Sequence, residues 1–250
     1  MIVYFSATGN CKRVAERVAE HLGDKAVPME KAGRGISLAE GECFGLVSPT
    51  NWWQLPVPVR DYIEGLRVSL NGNNYIFLVA TFGTTPGCCG EEARRRLERQ
   101  GLNLDAAFSI RMPDNWTPIF DLSDPDEVRR QVEESERAID AMLPRIAVRE
   151  RGNHTSPRTP QWLRPVTSAL LDYERRTSHF TLDDTCIGCG LCAKRCPAKA
   201  IEMRDRRPVW VAKQCYMCLR CLHSCPKFAI QYGKKTRKHG QYRNPMTERP

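Results

Sequence analysis

No stretch of this 250-residue chain stays apolar for the about 20 residues that a membrane span needs. Strand-like residues begin at Met1, which leaves no room for a signal peptide, so the expected compartment is the cytoplasm. Its first loop contains neither G-x-G-x-x-G nor G-x4-G-K-S/T, which argues against a dinucleotide fingerprint and a Walker nucleotide site there. Histidine is scarce: the five present show no ligand pairing, His223 sits as filler in a cysteine run, and none is assigned chemistry. No helix-turn-helix or other nucleic-acid motif is visible, which makes nucleic acid a remote partner.

Cysteine and positive charge are what the chain has in excess, with 12 cysteines and a net charge of +9. Eight cysteines follow one pattern written twice. CIGCGLCAKRCPAKAI begins at Cys186 and CYMCLRCLHSCPKFAI at Cys215, each reading C-x2-C-x2-C-x3-C-P and then x-x-Ala-Ile. Such a repeat implies two equivalent sites. Three thiolates spaced by two residues can curl round one inorganic cube and ligate three of its irons, leaving the fourth iron to a cysteine from elsewhere. Structural zinc fits less well, because zinc knuckles pair to give four ligands, whereas each run here already carries four cysteines. Disulfides need an oxidising compartment, which nothing upstream suggests. The runs resemble those of the bacterial ferredoxins with two 4Fe-4S clusters, over about residues 178–234. Cys186, Cys189 and Cys192 share one loop, whereas Cys196 precedes Pro197, a position suited to the first turn of a helix, and is expected to point to the other site. Cluster one is therefore assigned Cys186, Cys189, Cys192 and Cys225, and cluster two Cys215, Cys218, Cys221 and Cys196.

The first half alternates strands and helices. MIVYF is a short β-prone run, followed by Ser6, Ala7, Thr8, Gly9, Asn10 and Cys11 and then by a helical pattern with Val14, Val18 and Leu22 in register and Gly23 as cap. A loop of small and hydroxyl residues at a helix N-terminus offers free amides and a favourable dipole to an anion, so it is expected to cradle phosphate; a plain β-α turn is the bland alternative. Residues 42–50, 74–83 and 103–113 read as further strands, and helices are expected over VPVRDYIEGLR, over EEARRRLERQG and over 124–148. This is the pattern of a doubly wound parallel sheet, whose ligands bind beyond the carboxyl ends of the strands. Three loops lie there and can converge on one ligand: residues 6–11; Pro49, Thr50, Asn51, Trp52 and Trp53; and Thr81, Phe82, Gly83 and Gly87. Trp52, Trp53 and Phe82 suit a flat ring, against the ordinary role of core or surface anchors, and Trp116 could cover the site from outside. Cys88 and Cys89 read as small buried residues at a helix start and Cys43 as core. By order and position these loops resemble the FMN-binding loops of flavodoxins, in which S/T-x-T-G-N-T binds the phosphate, over about residues 1–149. Cys11 stands where the last Thr of that motif is common.

Residues 151–160, RGNHTSPRTP, shift in composition as a linker does, and WLRPVTSALLDYERR offers a helix whose Trp162, Val166, Leu170 and Leu171 are expected to dock the two halves. The expected organisation is a flavodoxin-like α/β domain over 1–150, linker and docking helix over 151–176, a small α+β ferredoxin-like domain over 177–234 and a basic tail over 235–250. Within the third part, IEMRDRRPVWV reads as a hairpin, and HFTL and IQYG as a strand pair. Charge is divided unevenly: residues 1–150 hold 18 Lys and Arg against 22 Asp and Glu, and residues 151–250 hold 20 against 7. Eight thiolates on two oxidised iron-sulfur cores would offset roughly 4 of the positive charges. The tail reads as solvated, as folded back on the acidic first domain, or as an arm for an acidic surface.

The two halves together resemble the EFR-type family of flavodoxin/ferredoxin fusion proteins of anaerobic bacteria. That resemblance implies an electron-transfer protein carrying FMN and two 4Fe-4S clusters, with redox partners that have acidic surfaces. An oxidoreductase reducing a small-molecule acceptor such as a quinone is the rival expectation, and a redox-sensing nucleic-acid binder a distant third.

Overall fold

The protein is described by a computed structural model over residues 1–247. It opens with β1 (Ile2–Tyr4) and α1 (Asn10–Leu22), whose Val14, Ala15, Val18 and Ala19 are buried at helical spacing. Gly23 closes α1 at φ 64°, where a left-handed residue lets its amide reach the carbonyls of Ala19 and Glu20. The chain continues through β2 (Ala26–Pro28), β3 (Gly35–Leu38), β4 (Cys43–Pro49), α2 (Val57–Glu64), β5 (Arg67–Leu70), β6 (Tyr75–Phe82), α3 (Cys89–Glu98), β7 (Ala106–Arg111), α4 (Pro125–Ala147) and β8 (Gly152–Asn153). Asp124 caps α4 by accepting the amides of Asp126 and Glu127, and Pro125 occupies its first turn, so this start was legible from sequence.

One sheet runs in the order β2-β1-β4-β6-β7-β8 with every pairing parallel. Leaving aside the edge pair at β8, this is the flavodoxin-like doubly wound order, with the switch point beside β1. Its alternating side chains feed two cores. Ile76, Leu78 and Ala80 of β6 pack with Val59, Ile63, Ala93 and Leu97 of α2 and α3, while Phe77 and Val79 pack with Val14 and Val18 of α1 and with Ile139 and Leu143 of α4. Parallel strands buried on both faces explain why β6 reads as a continuous apolar run.

The strand count exceeds the expected one. β2, β3, β5 and β8 were not anticipated; β3 and β5 form a separate parallel pair, and the helix expected to run through residue 67 ends at Gly65, with Arg67 already in β5. The expected linker is also no free linker. Gly152 and Asn153 pair with Ala106 and Ala107 at the sheet edge, Thr155 is buried, and Arg158 bridges Gly87.

The remainder comprises α5 (Arg164–Glu174), β9 (Phe180–Leu182), α6 (Leu191–Lys194), the hairpin β10 (Ile201–Arg204) and β11 (Arg207–Trp210), α7 (Arg220–Ser224), β12 (Ile230–Tyr232) and α8 (Thr236–His239). β9 pairs antiparallel with β12, and the hairpin turns at Asp205 and Arg206, both at positive φ. Its core is Phe180, Leu219, Leu222, Ile230 and Tyr232. α5 does not dock as expected: Leu171 is buried, but Trp162 is 74% exposed and Val166 and Leu170 face solvent as well. It is held instead by polar contacts, Arg164 to the buried Glu92 at 2.7 Å and Ser168 to Gln54 at 3.2 Å. No helix among the described residues is long and apolar enough to cross a membrane.

Candidate cofactor sites

A cavity of about 350 Å³ lies at the carboxyl ends of β1, β4, β6 and β7, a volume within the usual range for cofactor pockets. It is lined by Ser6, Ala7, Thr8, Asn10 and Cys11, by Pro49, Thr50, Asn51, Trp52 and Trp53, and by Thr81, Phe82 and Gly83. All three expected loops therefore meet on one space. Gly9 and Gly87 do not line it. Gly9 sits at φ 106° beneath Asn244 and Thr247, and Gly87, at φ 60°, lets the backbone pass so close that a Cβ there would lie 2.0 Å from the Trp53 carbonyl oxygen.

Trp52 and Trp53 occupy the two central positions of a turn closed by reciprocal amide-carbonyl bonds between Asn51 and Gln54. Both have positive φ, 46° and 62°, in a turn that ordinarily selects Asn or Gly. Each non-glycine residue held there costs of order 1 kcal/mol, a strain of the kind that collects at ligand-binding sites.

The side chains of loop 6–11 are largely committed. Ser6 Oγ accepts the Gly9 amide at 3.1 Å, Thr8 Oγ1 accepts from Asn115 Nδ2 at 2.8 Å, and Asn10 Nδ2 donates to the Pro113 carbonyl at 3.1 Å. Asn10 Oδ1 accepts from Tyr242 Oη at 2.7 Å and from Asn244 Nδ2 at 3.1 Å. Burial pushes the Cys11 thiol up to about 12, so it stays neutral against Thr81 Oγ1 at 3.2 Å. What remains for an anion is the first turn of α1, whose amides have no intrahelical acceptor. Backbone donors and hydroxyls together with broad aromatic walls fit a phosphorylated flat heterocycle.

Sequence reasoning missed the other wall. The loop after β7 contributes Asp114, Asn115, Ile119 and Phe120, and the second cysteine run contributes Met217 and Cys218. Trp116 lines the cavity and at the same time packs into the core of the cysteine-rich part, its ring centroid 5.1 Å from that of Tyr232. Desolvation raises the pKa of Asp114, whose Oδ1 accepts the Trp116 amide at 3.0 Å.

The eight cysteines form two further groups. One small cavity is lined by Cys186, Cys189, Cys192 and Cys225, the other by Cys196, Cys215, Cys218 and Cys221. Each group thus takes three cysteines from one run and the last cysteine of the other. The helix turn expected at Cys196-Pro197 is absent; α6 ends at Lys194, and each Cys-Pro pair instead opens a turn, closed by Lys199 N–H to Cys196 O and by Phe228 N–H to Cys225 O. That turn brings the Ala200 and Ala229 amides to 3.3 Å from Cys196 Sγ and Cys225 Sγ. The two runs match in backbone as well as spacing. Gly188 and Gly190 have positive φ, and so do Met217 and Leu219 at the equivalent places. In the second run those side chains are buried, Met217 towards the large cavity and Leu219 in the core. Burial raises the pKa of Cys192, Cys218 and Cys221 and takes that of Cys215 to about 12, so thiolates in these cavities require compensating positive charge, as iron supplies. Four sulfurs per cavity, with amides on Cys196, Cys225 and also Cys215, fit a 4Fe-4S cube.

The cysteine-rich part is fastened over the large cavity. Arg220 donates to the Ser6 carbonyl at 2.8 Å and to Glu30 at 2.6 Å and lies over the Phe5 ring. His223 is no filler of the cysteine run but a buried pivot: Nε2 lies 2.9 Å from the Asn115 carbonyl and Nδ1 3.1 Å from the Tyr242 amide. One partner can only accept and the other only donate, which requires the neutral tautomer; burial lowers its pKa to about 4, in agreement. The tail, too, is structural where it is described. His239 bonds the Thr117 carbonyl at 2.8 Å, Tyr242 is buried on Asn10, and Asn244 N–H meets Thr8 O at 2.8 Å. Residues 248–250 of the expected tail lie outside the described residues.

Residues 180–237 match the family model for a 4Fe-4S dicluster domain. A polyferredoxin-like protein of Methanocaldococcus jannaschii, itself uncharacterised, is 36% identical over 78 residues, a match covering 26% of this chain and 46% of that protein. The chain therefore spans under half the length of this curated relative. Among solved structures, the rubredoxin oxygen:oxidoreductase of Desulfovibrio gigas is 19% identical over 57% of this chain and 36% of its own, with a TM-score of 0.33. A putative flavoprotein of Bacteroides uniformis is 18% identical over 53% of this chain and 96% of its own, with a TM-score of 0.34. Residues 180–237, which match the 4Fe-4S dicluster domain model, thus follow the doubly wound α/β sheet of the first part.

Proposed function

We propose that the protein is an electron-transfer iron-sulfur flavoprotein that binds FMN in the large cavity and a 4Fe-4S cluster in each cysteine-lined cavity, and that exchanges electrons with external redox partners. The observation that carries this reading is the shared wall: Cys218 lines both the large cavity and the second cysteine cavity. FMN takes up two electrons or one and each cluster passes one, so the bound groups would exchange a pair of electrons for single ones. In this reading the first turn of α1 holds the phosphate, the faces of Trp52, Trp53 and Phe82 hold the ring, and Trp116, Ile119 and Phe120 keep water from it. Cys186, Cys189, Cys192 and Cys225 hold one cluster, and Cys215, Cys218, Cys221 and Cys196 the other, so that neither run is complete alone.

The test of the flavin site is affinity. FMN should bind far more tightly than riboflavin, because removing the phosphate strands oriented amides without their anion. Equal affinities would refute the phosphate assignment, and no flavin binding by the folded chain would refute the flavoprotein reading. For the clusters, anaerobic purification with iron and sulfide quantified gives their number. Under crossed ligation, EPR of a Cys196→Ser variant should show damage to the same cluster as Cys218→Ser; damage matching that of Cys189→Ser would mean that each run closes its own site.

A further inference from the structure

The two cysteine cavities differ in what surrounds them. The one holding Cys196, Cys215, Cys218 and Cys221 is enclosed: Cys218 packs against the first domain's core, and Arg220, in the same run, ties α7 to the Ser6 carbonyl. The other faces outward. Cys189 is exposed, Ile187 beside it is 50% exposed, and Pro226 and Lys227 on its rim are open to solvent.

The outward face also carries positive charge. Lys227 on the cavity rim and Arg206 at the hairpin turn against Gly188 are exposed, as is Lys194 at the end of α6, two residues beyond Cys192, and none of the three has an ion-pair partner among the described residues. Asp184 on the same side is paired with Arg207 at 3.4 Å, which leaves Asp205 as the unpaired acid of the turn. An apolar residue over a redox site, flanked by unpaired cations, complements a partner whose own site is flanked by carboxylates. Electron exchange between proteins requires the two redox groups to come close, and the enclosed cavity offers an incoming protein no comparable approach.

Resting on the proposed function, we propose that the face around Cys189 and Ile187 is the docking port for an acidic one-electron carrier protein, and that the enclosed cysteine site relays electrons between this port and the large cavity. At the port one electron passes between carrier and cluster, one being oxidised as the other is reduced, with no bond made or broken. Lys194, Arg206 and Lys227 steer the encounter and Ile187 supplies the dry contact at its centre.

The test uses the full cluster-loaded chain and a small acidic 2Fe-2S ferredoxin as probe. Carbodiimide joins lysines to the carboxylates they touch, so cross-linked peptides should contain Lys194 and Lys227. Links confined to Lys234, Lys238 or the first domain would overturn the proposal. In parallel, Lys194→Glu with Lys227→Glu should raise the Kd for the oxidised ferredoxin at least tenfold at low ionic strength, with the difference shrinking at high salt. Lys234→Glu with Lys238→Glu, the same change in net charge on an exposed site elsewhere, should change it less than threefold. Equal weakening by both pairs would show a response to overall charge alone and would overturn the port. Should the Glu pair fail to retain iron, Lys194→Gln with Lys227→Gln serves instead, and an unchanged Kd there overturns the proposal equally. None of these readouts needs flavin, so failure of FMN binding would count against the proposed function and leave the port to be judged by itself.

Discussion

Replacing His223 by phenylalanine tests whether this buried ring fastens the iron-sulfur part to the α/β domain. Phe keeps the ring volume, so the change removes two hydrogen bonds and adds little cavity. It leaves the Asn115 carbonyl, 2.9 Å from Nε2, and the Tyr242 amide, 3.1 Å from Nδ1, without partners. A buried polar group left unpaired costs about 1–3 kcal/mol, so the pair should cost roughly 4 kcal/mol. For a chain of this size each kcal/mol shifts Tm by about 2–4 °C, giving an expected fall of roughly 8–16 °C. Anaerobic calorimetry of the cluster-loaded protein measures it. The Tyr242 amide should also lose protection from hydrogen exchange, because its acceptor is gone. A Tm within about 2 °C of the parent, or an unchanged Tyr242 amide, would refute the pivot.

Asp114→Asn should stabilise the flavin-free protein at neutral pH. Burial raises the folded-state pKa of this carboxyl, so its charged form opposes folding above that pKa, and the advantage of Asn should vanish as pH falls through it; a pH-independent difference in urea unfolding would contradict the desolvation argument. Trp52→Gly removes a left-handed tryptophan from the 51–54 turn, so FMN affinity should fall at least tenfold in a fluorescence titration while Tm holds or rises; a large loss of Tm would mean that Trp52 is a core anchor. Gly87→Ala should destabilise by about 2–4 kcal/mol, because its Cβ meets the Trp53 carbonyl and its φ is left-handed, and a neutral result in thermal unfolding would refute that close approach. Removing residues 240–250 should lower Tm and FMN affinity at every ionic strength, since Tyr242 and Asn244 brace Asn10; an effect seen only at low salt would restore the tail as an electrostatic arm.

What the sequence determined by itself was local. Each C-x2-C-x2-C-x3-C-P run dictates its own loop, because three cysteines and two left-handed positions fall within seven residues, and the continuous apolar runs of β4 and β6 alternating with the helical period of α1 and α4 dictate the parallel sheet whose carboxyl ends gather residues 6–11, 49–53 and 81–83. Short segments escaped notice because nothing within them is distinctive. β3 and β5 are four residues each and become strands only by pairing with one another across some thirty residues of chain. The amphipathic stripe of α5 promised burial, yet the first domain meets that helix with Gln54 and Glu92, and the contact became polar. Tertiary structure alone decided the rest: that Trp116 packs into the core of the cysteine-rich part while lining the large cavity, that His223 grips the loop after β7 and the tail grips loop 6–11, and that Met217 and Cys218 close the large cavity. These contacts join residues more than a hundred positions apart, and no periodicity records a pairing of that range. Burial and hydrogen-bond satisfaction select it only when both halves are folded against each other.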